Sequence, residues 1–416
     1  MKRTVLVYTS WASLPQSQFV GTLSAGYLKG KEHFSFYYDE KWLKQKSLPA
    51  FDPDLPPVSG HSFPSSGKIQ FGIFSDASPD RWGRTLMMRR EKFLAKASSR
   101  PEKTLMEIDF LLGVDDSGRM GALRFKENAD GPFLADDQLN PAPPMTELRK
   151  LEAAAIALEE GRTNKMDEAV ALLFRPGSSL GGARPKANVA APDGSLWIAK
   201  FPSENDAIDV GAWEEVTATL AKASGITMAE SKALKLGSKH HTFVTKRFDR
   251  LGAHGRRLYA SAMTLLGRSD GQSSEASYLE LAEILIAQGC SPKAQLEELW
   301  KRIVFSILVA NTDDHLRNHG FLYNFELGGW DLSPAFDINP SLSGAGLSLA
   351  IDESDHSLEL ATAIAVAPFF KITMKEADRF IQQLLQVRAS WRRIAKKIGI
   401  KASEIELMAK VFEADR

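Results

Sequence analysis

A single cysteine, Cys290, stands in the 416 residues, which excludes an internal disulfide and any zinc site built from several cysteines. There is also no net charge. Lys plus Arg number 52 and Asp plus Glu number 52, so the chain has no bulk positive charge with which to grip nucleic acid. Long apolar runs are missing too. No stretch of about 18 apolar residues occurs, which argues against a membrane span. After Lys2 and Arg3 the apolar run is only Val5-Leu6-Val7, too short for a secretory signal. These absences lead to the expectation of a reduced, cytoplasmic protein. The 44% apolar content and the length allow two or three domains with large cores.

Three regions follow from the patterning. Residues 1–125 mix short apolar runs with turns, contain a helix expected over about 79–96, and end in the strand-like Gly121-Ala122-Leu123-Arg124-Phe125. Residues 126–145, rich in Pro, Gly and Asn, read as a linker. A helix is expected over about 146–160. Strand-like segments then fall near 186–191, 196–201 and 242–248, with one helix near 212–223. From Tyr278 onward the periodicity is mostly helical, over 278–288, 292–308, 374–398 and 402–412, with a β-like insertion at 320–325 and 329–332. The expected class is α+β, a mixed lobe followed by a mainly helical one.

Polar chemistry concentrates in Asn311-Thr312-Asp313-Asp314-His315-Leu316-Arg317-Asn318-His319, directly after the apolar run Ile303–Val309. The block is too dense in polar groups for a core, and its plainest alternative is a solvated loop. Asp337 follows 19 residues beyond Asn318, room enough for a hairpin that returns it to the same place. Carboxylate and amide oxygens suit magnesium. Zinc is a rival through His315 and His319, but no His-Glu-x-x-His is present and Gly320 interrupts a helix there.

Upstream, Gly177-Ser178-Ser179-Leu180-Gly181-Gly182-Ala183-Arg184-Pro185-Lys186 precedes a strand. Its glycines allow backbone N–H groups to approach phosphate, although Ala183-Arg184 replaces the Lys-Ser/Thr of a Walker loop and a tight turn is the bland reading. Lys200 lies within the β-type run Trp197–Phe201, and Trp213-Glu214-Glu215 opens a helix. Glu214, with Glu215 as the alternative, could pair with Lys200, though early acids also simply favour a helix N-terminus.

The order of these parts (glycine loop, strand lysine, helix glutamate, Asp-x-x-x-x-Asn, second Asp) resembles protein kinases. More closely, the chain resembles the HipA-type toxin kinases of bacterial toxin–antitoxin pairs. Ser179–Lys186, Ile198–Pro202, Lys246-Arg247-Phe248-Asp249-Arg250, Asn311–Asn318 and Phe336-Asp337 carry the likeness, with Asp76-Ala77-Ser78-Pro79-Asp80-Arg81-Trp82-Gly83-Arg84 and Gly121–Phe125 in the N-terminal region. The resemblance covers essentially the whole chain.

It implies a two-lobed protein-kinase-like fold: a β-rich accessory subdomain at 1–125, a linker at 126–145, an ATP-binding lobe at 146–265 and a helical catalytic lobe at 266–416. It implies a serine/threonine protein kinase that uses ATP and Mg2+, phosphorylates an aminoacyl-tRNA synthetase or similar translation component, and arrests growth. Asp313 would be the catalytic base, and Asn318 and Asp337 the metal ligands. ATP would contact Ser179, Gly181, Gly182, Lys200, Lys246, Phe248 and Asn318, with Glu214 supporting Lys200. Ser179 would be autophosphorylated, placing negative charge beside the nucleotide site. The implied partner is a small helix-turn-helix antitoxin of the HipB type, through which alone the toxin meets operator DNA. Lys246 departs from the pattern, standing where an acid is expected. Two other readings fit the same residues: a pseudokinase that chiefly binds an antitoxin, and a small-molecule kinase.

Overall fold

The computed structural model describes residues 2–11, 16–28, 30–45, 48–136, 142–161, 166–177, 182–252 and 255–416. Its contacts divide the chain into two compact units, Met1–Asn205 with Lys235–Ala260, and Asp206–Leu234 with Ser261–Arg416.

In the first unit, β1 (Arg3–Thr9), β2 (Gln18–Leu28), β3 (Lys31–Tyr38), β4 (His61–Ser62) and β5 (Leu123–Lys126) form an antiparallel sheet in the order β4-β3-β2-β1-β5. Alternation decides its faces: Val5 and Val7 in β1, and Phe34, Phe36 and Tyr38 in β3, are buried on one side. Helices α1 (Glu40–Leu43), α2 (Gly72–Asp76), α3 (Arg81–Ala97) and α4 (Glu107–Gly113) intervene before β5. Phe74 of α2 meets Phe36 at 5.7 Å and Phe125 at 6.1 Å, closing the core over the sheet.

The chain continues through α5 (Leu148–Glu159), α6 (Met166–Gly177), β6 (Lys186–Ala190) and β7 (Leu196–Lys200). It then contributes α7 (Val210–Ala223) and β8 (Ser231–Leu234) to the second unit before returning as β9 (Thr242–Lys246). β6, β7 and β9 are antiparallel neighbours, and a two-residue ribbon, β10 (Arg250–Leu251) with β11 (Gly255–Arg256), follows. At β12 (Tyr259–Ser261) the chain passes into the second unit.

That unit is mainly helical: α8 (Ala262–Leu265), α9 (Tyr278–Gln288), α10 (Pro292–Val309), the hairpin β13 (Gly320–Asn324) and β14 (Gly329–Leu332), then α11 (Leu360–Val366), α12 (Met374–Arg388), α13 (Trp391–Ile398) and α14 (Ala402–Phe412). A mixed α/β architecture is therefore present, as expected.

Three expectations change. Residues 126–145 do not form a loose linker where they are described. Leu134 N donates to Phe125 O at 2.8 Å, Arg124 lies over the Phe133 ring and bonds Asp136 at 3.1 Å, and Ala190 N donates to Pro143 O at 2.9 Å. Residues 206–234 cluster with the helical unit, because Trp213 of α7 packs on Trp391 at 6.1 Å and Phe412 at 5.8 Å. The single helix expected over 374–398 is two. The Ser390 hydroxyl and amide both bond Val387 O, at 2.8 and 3.0 Å, and end α12 so that Trp391 can stack on Phe412. Helix α6 had no counterpart in the sequence reading.

Candidate functional site

The acid loop begins where α10 stops. Ala310 takes a left-handed conformation (φ 49°), and Asn311 N turns back to Ser306 O at 2.8 Å. The loop that follows is braced on itself: Asn318 N donates to His315 O at 2.8 Å and Asn318 Nδ2 to Asp313 O at 2.9 Å. Ser348 Oγ holds Thr312 O at 2.9 Å. A Cβ at Gly344 would collide with Oγ1, Cγ2 and Cβ of Thr312, so only glycine lets residues 341–348 lie this close to the loop. Gly344→Ala is expected to cost about 1–3 kcal/mol through overpacking, read as a lowered denaturant midpoint.

The two neighbouring aspartates live in different surroundings. Asp314 is buried, accepting from the Tyr278 hydroxyl and from Ser306 Oγ at 3.2 Å, with His319 Nε2 3.1 Å from its other oxygen. Burial alone would raise its carboxyl, but His319 and these hydrogen bonds outweigh it and hold the group below the usual carboxylate range. Asp313 is exposed, yet partial desolvation pushes its carboxyl up. His315 pulls it down, while the Asp337 and Asp314 carboxylates push it further up. One acid is therefore structural and ionised, the other basic and open to a reactant.

Asp337 sits in the left-handed region (φ 59°), an unusual place for a residue other than glycine and a common one at functional sites. Asn339 Nδ2 donates to Asp337 Oδ1 at 3.1 Å, and Asn339 N to Asn311 Oδ1 at 3.0 Å, fastening this turn to the acid loop. Ser341 N adds a bond to Ala310 O at 2.9 Å. Helix α7 joins the same cluster: Thr217 Oγ1 donates to Ile338 O at 2.6 Å. Glu214, on that helix, is buried, and Glu215 is partly exposed with its carboxyl raised, chiefly by burial.

Asp313, Asn318 and Asp337 are thus brought together. Asp313 and Asp337 are close enough to repel, a cost that a divalent cation relieves, and Asn318, with its nitrogen committed to Asp313 O, would present an oxygen. The donor set fits magnesium. Zinc finds less here. Among the described residues no three His, Cys, Asp or Glu side chains converge, and the buried ring of His319 is engaged with Asp314 and with the Tyr278 ring at 5.5 Å.

The remaining expected residues belong to the first unit. Ser179 and Gly181 lie outside the described residues. Gly182 has φ 81°, a backbone that favours glycine. Lys200 ends β7, its ammonium 5.7 Å from the centre of the Phe243 ring. Lys246 is opposite Trp197 in register, and its charge helps hold Asp193 below the carboxylate range, after the hydrogen bonds from Ser195. Phe248 packs on Tyr259 at 6.1 Å.

One residue not singled out beforehand is Lys186. It is buried, directly opposite Lys200 across β6 and β7, and a Cβ at Gly182 would meet its ammonium at 2.5 Å. The two lysines thus stand side by side on one face of the hairpin. A strand lysine gives no such signal until the register is known.

Two of the sequence motifs turn out to hold each other. Arg247 bonds both oxygens of Asp249, at 2.8 and 2.7 Å, and also Gly118 O and Asn188 Oδ1. Gly121 N donates to Asp249 Oδ2 at 2.8 Å, and Arg250 pairs with the same carboxylate. Burial opposes this charge, but Arg247 and Arg250 hold the Asp249 carboxyl far below its ordinary value.

Residues 178–410, more than half of the chain, match the family described as HipA-like C-terminal domain. No curated protein matches the chain. Among solved structures it is similar to one from Shewanella oneidensis MR-1, the toxin–antitoxin system complex of HipA, HipB and operator DNA. Identity is 15% and the TM-score 0.60, over 95% of this chain and 93% of that one. The fold is thus shared along nearly the whole length. A second similar structure is the Helicobacter pylori proinflammatory kinase CtkA, at 13% identity over 51% of this chain and 94% of that one. The TM-score is 0.34. Through the family match over residues 178–410, the chain belongs to the proteins with a HipA-like C-terminal domain.

Proposed function

We propose that the protein is an ATP- and Mg2+-dependent serine/threonine protein kinase with a two-lobed kinase-like fold, acting as the toxin of a toxin–antitoxin pair. The observation that carries this reading is the division of labour in the acid loop: Asp313 is exposed and tied through its carbonyl to the Asn318 side chain, while Asp314 is buried against Tyr278, Ser306 and His319. Asp313 accepts the proton of a substrate hydroxyl as its oxygen bonds the γ-phosphorus and the bond to the β-phosphate oxygen breaks, releasing ADP. Asn318 and Asp337 hold the metal, which supplies charge neutralisation on the phosphates. Lys200, Lys186 and the glycine-rich loop around Gly182 bind phosphate oxygens, Glu214 steadies Lys200, and the backbone near Lys246 and Phe248 receives the base.

Ser179 is the proposed self-phosphorylation site, where up to two added negative charges would repel nucleotide. The proposed partner is a helix-turn-helix antitoxin, in line with the HipA, HipB and operator DNA complex named for the similar structure. The proposed substrate is a translation component such as an aminoacyl-tRNA synthetase. Phosphoproteomes recorded after brief induction test this reading. Wild type is expected to add phosphate to at least one serine or threonine that Asp313→Gln leaves unmodified. Identical phosphoproteomes, or growth arrest that survives Asp313→Gln, would favour a binding role instead.

A further inference from the structure

Within the helical unit, the N-terminal turns of α10 and α12 enclose a cleft of about 300 Å³, the lower end of the size range of small-molecule pockets. Its apolar base is Ile372 and Phe380, with the Trp300 ring 5.8 Å from that of Phe380. Four cations line it: Lys293 and Lys301 from α10, Lys371 from the turn before α12, and Arg379 from α12. The two acids beside them are engaged. Glu297 pairs with Lys301 at 2.6 Å, and Glu376 caps α12, accepting from Thr373 N at 2.9 Å and from Thr373 Oγ1 at 2.6 Å. Those bonds hold the Glu376 carboxyl below its ordinary value, and the nearby charges of Lys293 and Arg379 add to the effect. Among the described residues Lys293, Lys371 and Arg379 make no ion pair and no side-chain hydrogen bond. Four cations against two acids leave a surplus of two positive charges, in a chain whose net charge is zero.

Two of these lysines stand where the backbone favours another residue. Lys293 lies in the first turn of α10, where the helix dipole favours an acid. That turn carries no acid, and its N-cap Ser291 makes no capping bond. Lys371 has φ 60°, the left-handed position that closes the turn Ala367–Phe370, where glycine is preferred. Both ammonium groups line the cleft in spite of local preference, and such conflicts are expected at functional sites. We propose that the cleft binds a phosphate monoester, whose nearly two negative charges match the surplus. Arg379 offers a planar fork to two phosphate oxygens, Lys293 and Lys371 supply point charges, and Gln383 an amide donor. A carboxylate, with one charge, leaves half of the surplus unmet. Neither ATP nor Asp313 takes part, so failure of this site would leave the kinase reading untouched.

Titrating the full chain with glycerol 2-phosphate tests the site, with calorimetry for affinity and hydrogen exchange over 371–383 as the local readout. Slower exchange there is expected, with a dissociation constant of about millimolar, since the cations are screened by solvent. Lys371→Gly and Lys293→Glu separate binding from folding. Each should weaken the ligand about tenfold or more, the size of one charge-assisted contact. The melting temperature should stay level or rise, because glycine suits the left-handed turn and an acid suits the helix start. Acetate, with a single charge, should bind about tenfold more weakly than the phosphate ester. A capped, glycine-flanked phosphoserine peptide distinguishes the sources. Tighter binding than glycerol 2-phosphate assigns the site to a phosphorylated chain, weaker binding to a small phosphate ester, and either supports it. Unchanged exchange over 371–383, wild-type affinity in Lys371→Gly and Lys293→Glu, or acetate binding as tightly as the phosphate ester would overturn the proposal. So would a short DNA duplex that protects 371–383 where neither phosphate monoester does.

Discussion

Asp313→Gln should lower phosphotransfer by about 10²–10⁴-fold, the contribution of one positioned general base, while leaving the fold intact. The side chain is exposed, and its charge is held near Asp337 and Asp314 against repulsion. Removing the charge relieves that repulsion, so the melting temperature should stay level or rise. Asp314→Asn is the informative contrast. That carboxylate is buried among Tyr278, Ser306 and His319, and Asn removes its charge and turns one of its two accepting oxygens into an N–H donor, so the hydroxyls on one side and His319 on the other can no longer both be met by an acceptor. Its activity loss should come with a clear loss of stability. Two adjacent aspartates with opposite signatures in a paired melting and kinetic assay would separate chemistry from scaffolding.

The second large effect concerns stability. Asp249→Ala leaves Arg247 and Arg250 buried without the carboxylate they share and frees the Gly121 amide, at an expected cost of about 3–5 kcal/mol. That is a large part of the stability of an ordinary domain. The sign with pH follows from the same pair. The folded carboxyl lies far below the unfolded value of about 3.9, so its contribution is fully present above about pH 4 and is lost as pH falls towards the folded value. Wild-type stability should therefore decline with acid below about pH 4 more steeply than that of Asp249→Ala. Parallel slopes in urea titrations across that range would contradict the assignment.

What could be read in advance followed from local chemistry. The Asp313-to-Asn318 spacing was legible because one short loop carries both residues and bonds one to the other. α9 and α14 fall on their expected bounds because each is a continuous amphipathic run with sharp ends. Long-range pairings were not legible. Nothing local says that Lys186 will stand opposite Lys200, since that depends on the register of a hairpin. Nor does it say that Gly121 will bond Asp249, 128 residues away, or that Asp80 will hold Gly182, 102 residues away. The short apolar runs of the N-terminal region became a five-stranded sheet whose strand order no local signal carries. The Pro- and Gly-rich stretch at 126–145 looked like a linker because such residues mark turns, and turns can lie against a core as readily as leave it.

Asp313, Asn318 and Asp337 are proposed to carry out transfer of the γ-phosphate of ATP to a protein hydroxyl. Incubating the purified chain with γ-labelled ATP and Mg2+, then locating the label by peptide mass, tests it most directly. Label is expected on serine or threonine, Ser179 among the sites, dependent on the divalent cation and absent from both Asp313→Gln and Asp337→Asn. No label with either magnesium or manganese, or label that persists in Asp313→Gln, would contradict it.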